Sequence, residues 1–228
     1  MKLSENTIAV LKNFSAINPN LVFRQGNELK TISVAKNILA NATVDETFPI
    51  EFGVYDLNEF LNALSLFESP ELNFASNEFV QLKEGPRALK YHFSAMDMLT
   101  TPSKNITMPN ADIKFVLKDS DLALLRKASS NLGVSELTVC GAESAASITL
   151  QVADPKNPTS NVFTLDVDLE GTVRPGHAFK MVFNIANFKL IPGDYNVELS
   201  SKLISRFEHV SSKVEYFIAL ERNSEFNA

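Results

Sequence analysis

Along most of this chain apolar and polar positions alternate with a period of two, the pattern of a strand with one buried face. The alternation predicts strands at 21–24, 29–34, 38–44, 48–54, 72–74, 79–82, 89–93, 114–117, 137–140, 147–152, 163–169, 178–183, 195–200, 204–209 and 214–220. Turn residues separate them, and Gly26-Asn27 predicts a hairpin joining the first two. Many short strands with such punctuation mean mostly antiparallel sheet.

Four stretches switch to helical spacing. The first opens at the candidate cap Ser4 and aligns Leu3, Thr7, Val10, Leu11, Phe14 and Ile17. A second, 55–67, aligns Leu57, Phe60, Leu61 and Leu64. A third opens at Asp119 or Ser120, aligns Leu122, Leu125, Ser129 and Leu132, and ends at Gly133. The fourth spans one or two turns from Ile185 to Leu190, before Pro192-Gly193. The order helix, strands, helix, strands therefore occurs twice. An irregular stretch, 100–111, carries Pro102 and Pro109 and separates the repeats, so the expected domains are 1–108 and 109–228. The fold class is α+β, with two similar domains of antiparallel sheet and two helices each.

Composition narrows the function. With 228 residues, 45% of them apolar, the chain can bury one large core or two ordinary ones without disulfide or metal. Its single cysteine, Cys140, closes an apolar strand and has no partner for an intrachain bridge, which suits a reducing cytoplasm. The opening MKLSENTIAVLKNF is broken by polar residues, so neither a signal peptide nor a membrane span is expected. A net charge of −6 argues against a protein that holds nucleic acid by bulk positive charge.

Local basic surfaces are another matter. Opposite its apolar stripe the first helix presents Lys2, Glu5, Ala9, Lys12 and Ala16; the third presents Ala123, Arg126, Lys127 and Ser130. Lys118 precedes the third helix and Lys189 lies on the fourth. Small residues and cations on flexible stems suit loose contact with a phosphate backbone, because they attract charge without reading base edges. Ordinary solvated helix faces have the same composition.

Catalytic and metal motifs fail on inspection. Asp166-Val167-Asp168-Leu169-Glu170-Gly171 resembles half a calcium loop, but the twelfth position, which needs a bidentate glutamate, is His177. Gly171 and Gly176 have P-loop spacing, but His177-Ala178 stand where lysine and a hydroxyl are needed. His92, His177 and His209 fall in separate contexts, and pairs such as Glu68 and Glu71 have no evident cleft. No cofactor and no enzymatic activity are expected.

Several stretches carry a family likeness. Met1-Lys2-Leu3-Ser4 with Thr7, Leu11-Lys12-Asn13-Phe14 and Ile17-Asn18 resembles the opening of the sliding clamps of T4-like bacteriophages. Tyr55-Asp56-Leu57-Asn58 with Phe60-Leu61 and Leu64-Ser65-Leu66 is similar to their second helix. Asn184-Ile185-Ala186-Asn187-Phe188-Lys189 and Pro192-Gly193-Asp194-Tyr195 are similar to their fourth helix and the turn after it, and Tyr216 with Ala219-Leu220-Glu221 to their last strand. Residues 69–110 and 140–176 diverge.

The resemblance implies two clamp domains per chain and three chains in a closed ring that encircles double-stranded DNA and tethers the replicative DNA polymerase. It further implies an ATP-dependent clamp loader, contact with late-transcription factors, and action in the cytoplasm of the infected bacterial host. Lys2, Lys12, Lys118, Arg126, Lys127 and Lys189 are then the DNA-facing candidates, while Met108, Ile113 and Phe226 are candidate partner contacts, Phe226 in a polar tail expected to be mobile. The competing expectation is a two-domain structural or protein-interaction module that never encloses DNA.

Overall fold

The computed structural model describes residues 1–102, 105–142, 147–154, 156–157, 159–168 and 178–226. It divides into two compact units, Met1–Asn105 and Ile106–Ala228.

The first unit opens with α1 (Glu5–Ile17), which buries Thr7, Val10, Leu11, Phe14 and Ile17. Ser4 caps it by accepting from the Thr7 N–H at 3.2 Å. Strands β1 (Leu21–Phe23), β2 (Gly26–Ile32), β3 (Ile38–Phe48) and β4 (Phe52–Val54) follow, then α2 (Leu57–Leu64) and the meander β5 (Glu71–Asn73), β6 (Phe79–Glu84), β7 (Arg87–His92). Phenylalanines fill the core: Phe23 stacks on Phe52 at 4.5 Å between ring centroids and meets Phe48 edge-on at 4.9 Å, and Phe60 packs against Tyr91 at 5.0 Å.

The expected hairpin at Gly26-Asn27 does not form. β1 pairs antiparallel with β4, Leu21 opposite Val54, while β2 pairs with β3. Every residue of β1 and of β4 is buried, so each matches the other, whereas β2 alternates and matches the half-buried β3. Gly26, at φ 114°, instead begins β2 beside a register shift.

The second unit repeats the order: β8 (Ile113–Leu117), α3 (Asp119–Leu132), β9 (Glu136–Gly141), β10 (Ser147–Val152), β11 (Phe163–Asp168), β12 (Phe179–Asn184), then β13 (Tyr195–Ser200), β14 (Ile204–His209), β15 (Val214–Ala219) and β16 (Glu225–Phe226). One antiparallel sheet runs β11-β10-β9-β12-β16; in the other, β13 lies between β8 and β14, and β14 pairs with β15. Phe183, Phe188 and Phe207 meet edge-on at 5.2 to 6.0 Å in the core between these strands.

Among the described residues there are three α-helices, not four. The fourth expected helix is a single 3₁₀ turn, Ile185–Asn187. Phe188 and Leu190 are both buried with Lys189 between them less so, a period of two that a helix cannot satisfy. No helix is long and apolar enough to cross a membrane.

Candidate nucleic-acid interface

On α1 the polar face is laid out as its spacing predicts, with Glu5, Ala9, Lys12 and Ala16 all exposed; Lys2 is exposed too, but it precedes the cap Ser4 and lies outside the helix, which begins at Glu5. Its N-terminus is held from β3. The Glu46 carboxylate accepts from the Ser4 N–H and the Thr7 hydroxyl. Burial works against the charge on Glu46, but these hydrogen bonds outweigh it and hold the carboxyl below the ordinary glutamate range. The Glu84 carboxyl is lowered first by the Ser69 N–H and also by the charges of Arg87 and Lys2. Glu5 leaves a negative charge within this otherwise basic stripe.

In the second unit α3 exposes Ala123, Leu124, Arg126, Lys127 and Ser130 and buries Leu122, Leu125, Ala128 and Ser129. Both of its ends are fixed. At the start, the Asp194 carboxylate accepts from the Asp119 N–H at 2.8 Å while the Asp119 carboxylate accepts from the Gly193 N–H at 3.0 Å. This reciprocal clasp does what a side-chain cap does, since Lys118 at the cap position makes no such bond. At the end, Gly133 takes φ 66°, with the Val134 N–H bonded to Ser129 O and the Gly133 N–H to Ser130 O, a Schellman closure.

Lys118, Lys127 and Lys12 are exposed as expected. Arg126 is not simply a solvated cation: its guanidinium donates to the carbonyl of Phe188, on the turn that carries Lys189. Burial lowers its pKa, while Asp119 and Tyr195 act in the opposite sense. Nothing in the spacing of α3 signals that bond, because the acceptor lies 62 residues away.

The loop after Lys189 is built as firmly. The Tyr195 hydroxyl donates to Ile191 O at 2.6 Å, and the Ile191 N–H donates to the Tyr216 hydroxyl at 3.3 Å. Burial pushes Tyr195 up, and Tyr216 up to about 12, so both remain neutral donors and acceptors. His209 accepts from the Ser211 and Ser212 N–H groups at Nδ1, which leaves Nε2 as the nitrogen that faces Pro192 O at 3.0 Å. Its role is structural.

The partner-contact candidates separate. Ile113 is fully buried opposite Leu199 in the β8–β13 ladder and offers no surface to a partner, a correction that follows from its place on the inward face of β8. Met108 is half-buried and lines a surface groove of about 460 Å³ with Ile106, Pro109, Arg206 and Phe217. Beside it Arg206 bonds Glu215 at 2.7 Å and Lys114 bonds Glu198 at 2.7 Å. The tail around Phe226 is not loose: Glu225–Phe226 forms β16 against β12, anchored by Glu221 N–H to Val182 O at 2.8 Å and Val182 N–H to Ser224 Oγ at 2.9 Å.

Of the half calcium loop, Asp166 and Asp168 alternate outward on β11, and Asp166 accepts from the Thr149 hydroxyl at 2.7 Å. Leu169, Glu170, Gly171, Gly176 and His177 lie outside the described residues, and among the described residues no three metal-ligating side chains gather. Burial raises the Cys140 thiol, with Lys180 opposing, which disfavours the nucleophilic thiolate.

Comparison with known proteins adds independent information. A family model described as DNA polymerase processivity factor matches residues 2–95, and one described as gp45 sliding clamp, C terminal, matches residues 114–222. A protein named Sliding clamp from Vibrio phage KVP40 is 34% identical, the alignment covering 97% of this chain and 99% of that one. Sliding clamps of Escherichia phage RB69 and Enterobacteria phage T4 are 29% and 27% identical over 98% of each chain. Among solved structures, proliferating cellular nuclear antigen of Entamoeba histolytica superposes with a TM-score of 0.69 at 13% identity, covering 96% of this chain and 97% of that one. The A. fulgidus homologue, solved with the C-terminal region of FEN-1 bound, gives 0.70 at 15%, covering 99% and 100%. At these identities the structural likeness establishes the fold.

Proposed function

The chain belongs to the phage sliding-clamp family, and from that premise we propose that three copies close into a ring around duplex DNA and tether the replicative DNA polymerase. It is a processivity scaffold and not an enzyme. The two units serve as the clamp domains; the expected boundary at 108/109 falls three residues beyond their division at 105/106. An ATP-dependent loader opens and closes the ring, and late-transcription factors use it as a platform. The work is done in the cytoplasm of the infected bacterial host.

The observation in this chain that carries the reading is the make-up of the exposed faces of α1 and α3. Each combines small side chains with an exposed lysine, Lys12 on α1 and Lys127 on α3, with Lys2 just before α1, and neither offers a run of groups that would read base edges. Such faces attract phosphate weakly and let it pass. A ring retained by topology needs no more, which reconciles a DNA role with a net charge of −6. Ring closure also gives β11 a use. It lies at the end of its sheet with one neighbour, β10, among the described residues, and a strand from a second copy would satisfy its outer edge.

Sedimentation velocity over a concentration range tests the assembly. A discrete species of three chain masses is expected. Monomer or dimer at every concentration would remove the self-closing ring and favour an interaction module that does not enclose DNA. Charge reversal of Arg126 and Lys127 tests the inner surface, since unchanged loading and clamp-dependent synthesis would show that α3 does not face DNA.

A further inference from the structure

Four bonds converge on the short segment between β12 and β13. Asn184 caps the 3₁₀ turn, its side chain accepting from the Ala186 N–H at 3.0 Å, and the Phe188 N–H bonds Ile185 O at 3.0 Å. Phe188 then sits at φ −78°, ψ 59°, and the Lys189 N–H donates back to Asn187 O at 2.8 Å, which makes Phe188 the centre of an inverse γ-turn. The turn aims the Phe188 ring into the core, 3% exposed against Phe183 and Phe207, and leaves its carbonyl directed at α3. That carbonyl accepts from Arg126.

We propose that Arg126 is a positioning residue whose bond to the Phe188 carbonyl fixes the γ-turn and thereby sets Lys189 beside Lys127 on one phosphate-facing surface. The inference rests on the clamp reading for the identity of the ligand, duplex DNA, but the positioning itself does not. The buried Phe188 ring anchors the turn from the core side, the Arg126 bond restrains its carbonyl from the α3 side, and the following residue inherits any change in φ or ψ at Phe188. A guanidinium suits this role because it is planar, charged at any working pH, and presents several donors from a stem long enough to leave the helix surface. A lysine at 126 would hold the charge but not the fixed fork. Arg126 thus couples α3, which carries Lys127, to the turn that carries Lys189, 62 residues further on.

The test uses the full-length protein and four variants, Arg126→Ala, Lys127→Ala, Lys189→Ala and the double variant Arg126→Ala with Lys189→Ala. Amide hydrogen exchange at Lys189 reads the turn without DNA. Arg126→Ala should speed it at least about tenfold relative to neighbouring amides of β12, as expected for loss of a local restraint, and Lys127→Ala should leave it unchanged. An unchanged Lys189 amide in Arg126→Ala overturns the proposal whatever happens with DNA. Titration with a short mixed-sequence duplex at low salt then reads the surface. Lys127→Ala and Lys189→Ala should each weaken binding roughly two- to fivefold, Arg126→Ala about as much as Lys189→Ala, and the double variant no more than Arg126→Ala alone. Additive losses in the double variant would mean that Arg126 contacts phosphate itself and would overturn the coupling to Lys189. If none of the lysine variants changes duplex affinity, the DNA-facing reading of this surface fails; a faster Lys189 amide would still show Arg126 holding the turn. Arg126→Lys guards against misfolding: it should keep the fold and the charge yet retain the fast Lys189 amide.

Discussion

At the scale of single residues, Glu46 makes a pH-dependent statement. Its folded pKa lies below its unfolded one because the carboxylate, not the acid, accepts from Ser4 and Thr7. The stability it contributes is therefore fully present above the unfolded value and is lost as pH falls through the depressed folded value. Glu46→Gln should cost about 1 kcal/mol near neutral pH, a charge-assisted hydrogen bond discounted for solvent screening, and less at about pH 3. Urea unfolding of both proteins at the two pH values measures the difference. Gly193 carries a second expectation. It takes φ 141°, and an added Cβ would stand 2.2 Å from His209 Nε2 on a ring already held by three bonds. Gly193→Ala should destabilise by about 2 kcal/mol or more through backbone strain and overlap together. In a His209→Ala background the overlap is gone, so the same substitution should cost less; equal costs in the two backgrounds would show that the contact is irrelevant.

Elements show where the sequence is legible. Period alone places twelve of the fifteen expected strands within two residues at both ends, but 29–34, 38–44 and 48–54 miss by three or four, β16 is not anticipated, and the stripe expected on α1 holds from Glu5 to Ala16 but not for Lys2. It does not choose partners: β1 pairs with β4, about thirty residues on, and not across the glycine turn beside it. Nor does it separate a short helix from a turn when burial depends on two aromatic and aliphatic anchors, Phe188 and Leu190, whose alternation was the available signal. The site divides in the same way. Exposure of Lys12, Lys118 and Lys127 is local and was readable; the bond of Arg126 to Phe188 and the Asp119–Asp194 clasp join segments some sixty to seventy-five residues apart and were not. The clasp yields its own expectation. Asp194→Ala removes the acceptor for the first N–H of α3 and should cost about 1 kcal/mol, as for loss of an N-cap, with the amide at Asp119 exchanging faster and that of Leu132 unaffected. Asp194→Asn keeps the acceptor oxygen and should recover most of the loss.

For the whole molecule the decisive quantity is how retention on DNA divides between topology and affinity. An open surface holding phosphates by counterion release loses affinity steeply with salt, in proportion to the number of phosphates neutralised. The six DNA-facing candidates lie on a chain with 27 acidic against 21 basic side chains, and Arg126 is already engaged with Phe188. Direct affinity should therefore be small. A closed ring escapes this limit, because it leaves a circle only by opening, and opening depends on subunit interfaces and not on phosphate contacts. Once loaded, the protein should stay on covalently closed circular DNA with a lifetime that hardly changes between about 50 and 200 mM salt, the span over which a protein making several phosphate contacts loses orders of magnitude. Linearising the same DNA with a restriction enzyme should release it at once, since sliding off the end needs no interface to break. Gel filtration of loaded complexes before and after cutting reads both outcomes. Retention that survives cutting and collapses with salt would instead mean binding by surface charge, and the basic faces of α1 and α3 would then be a docking surface and not the lining of a ring.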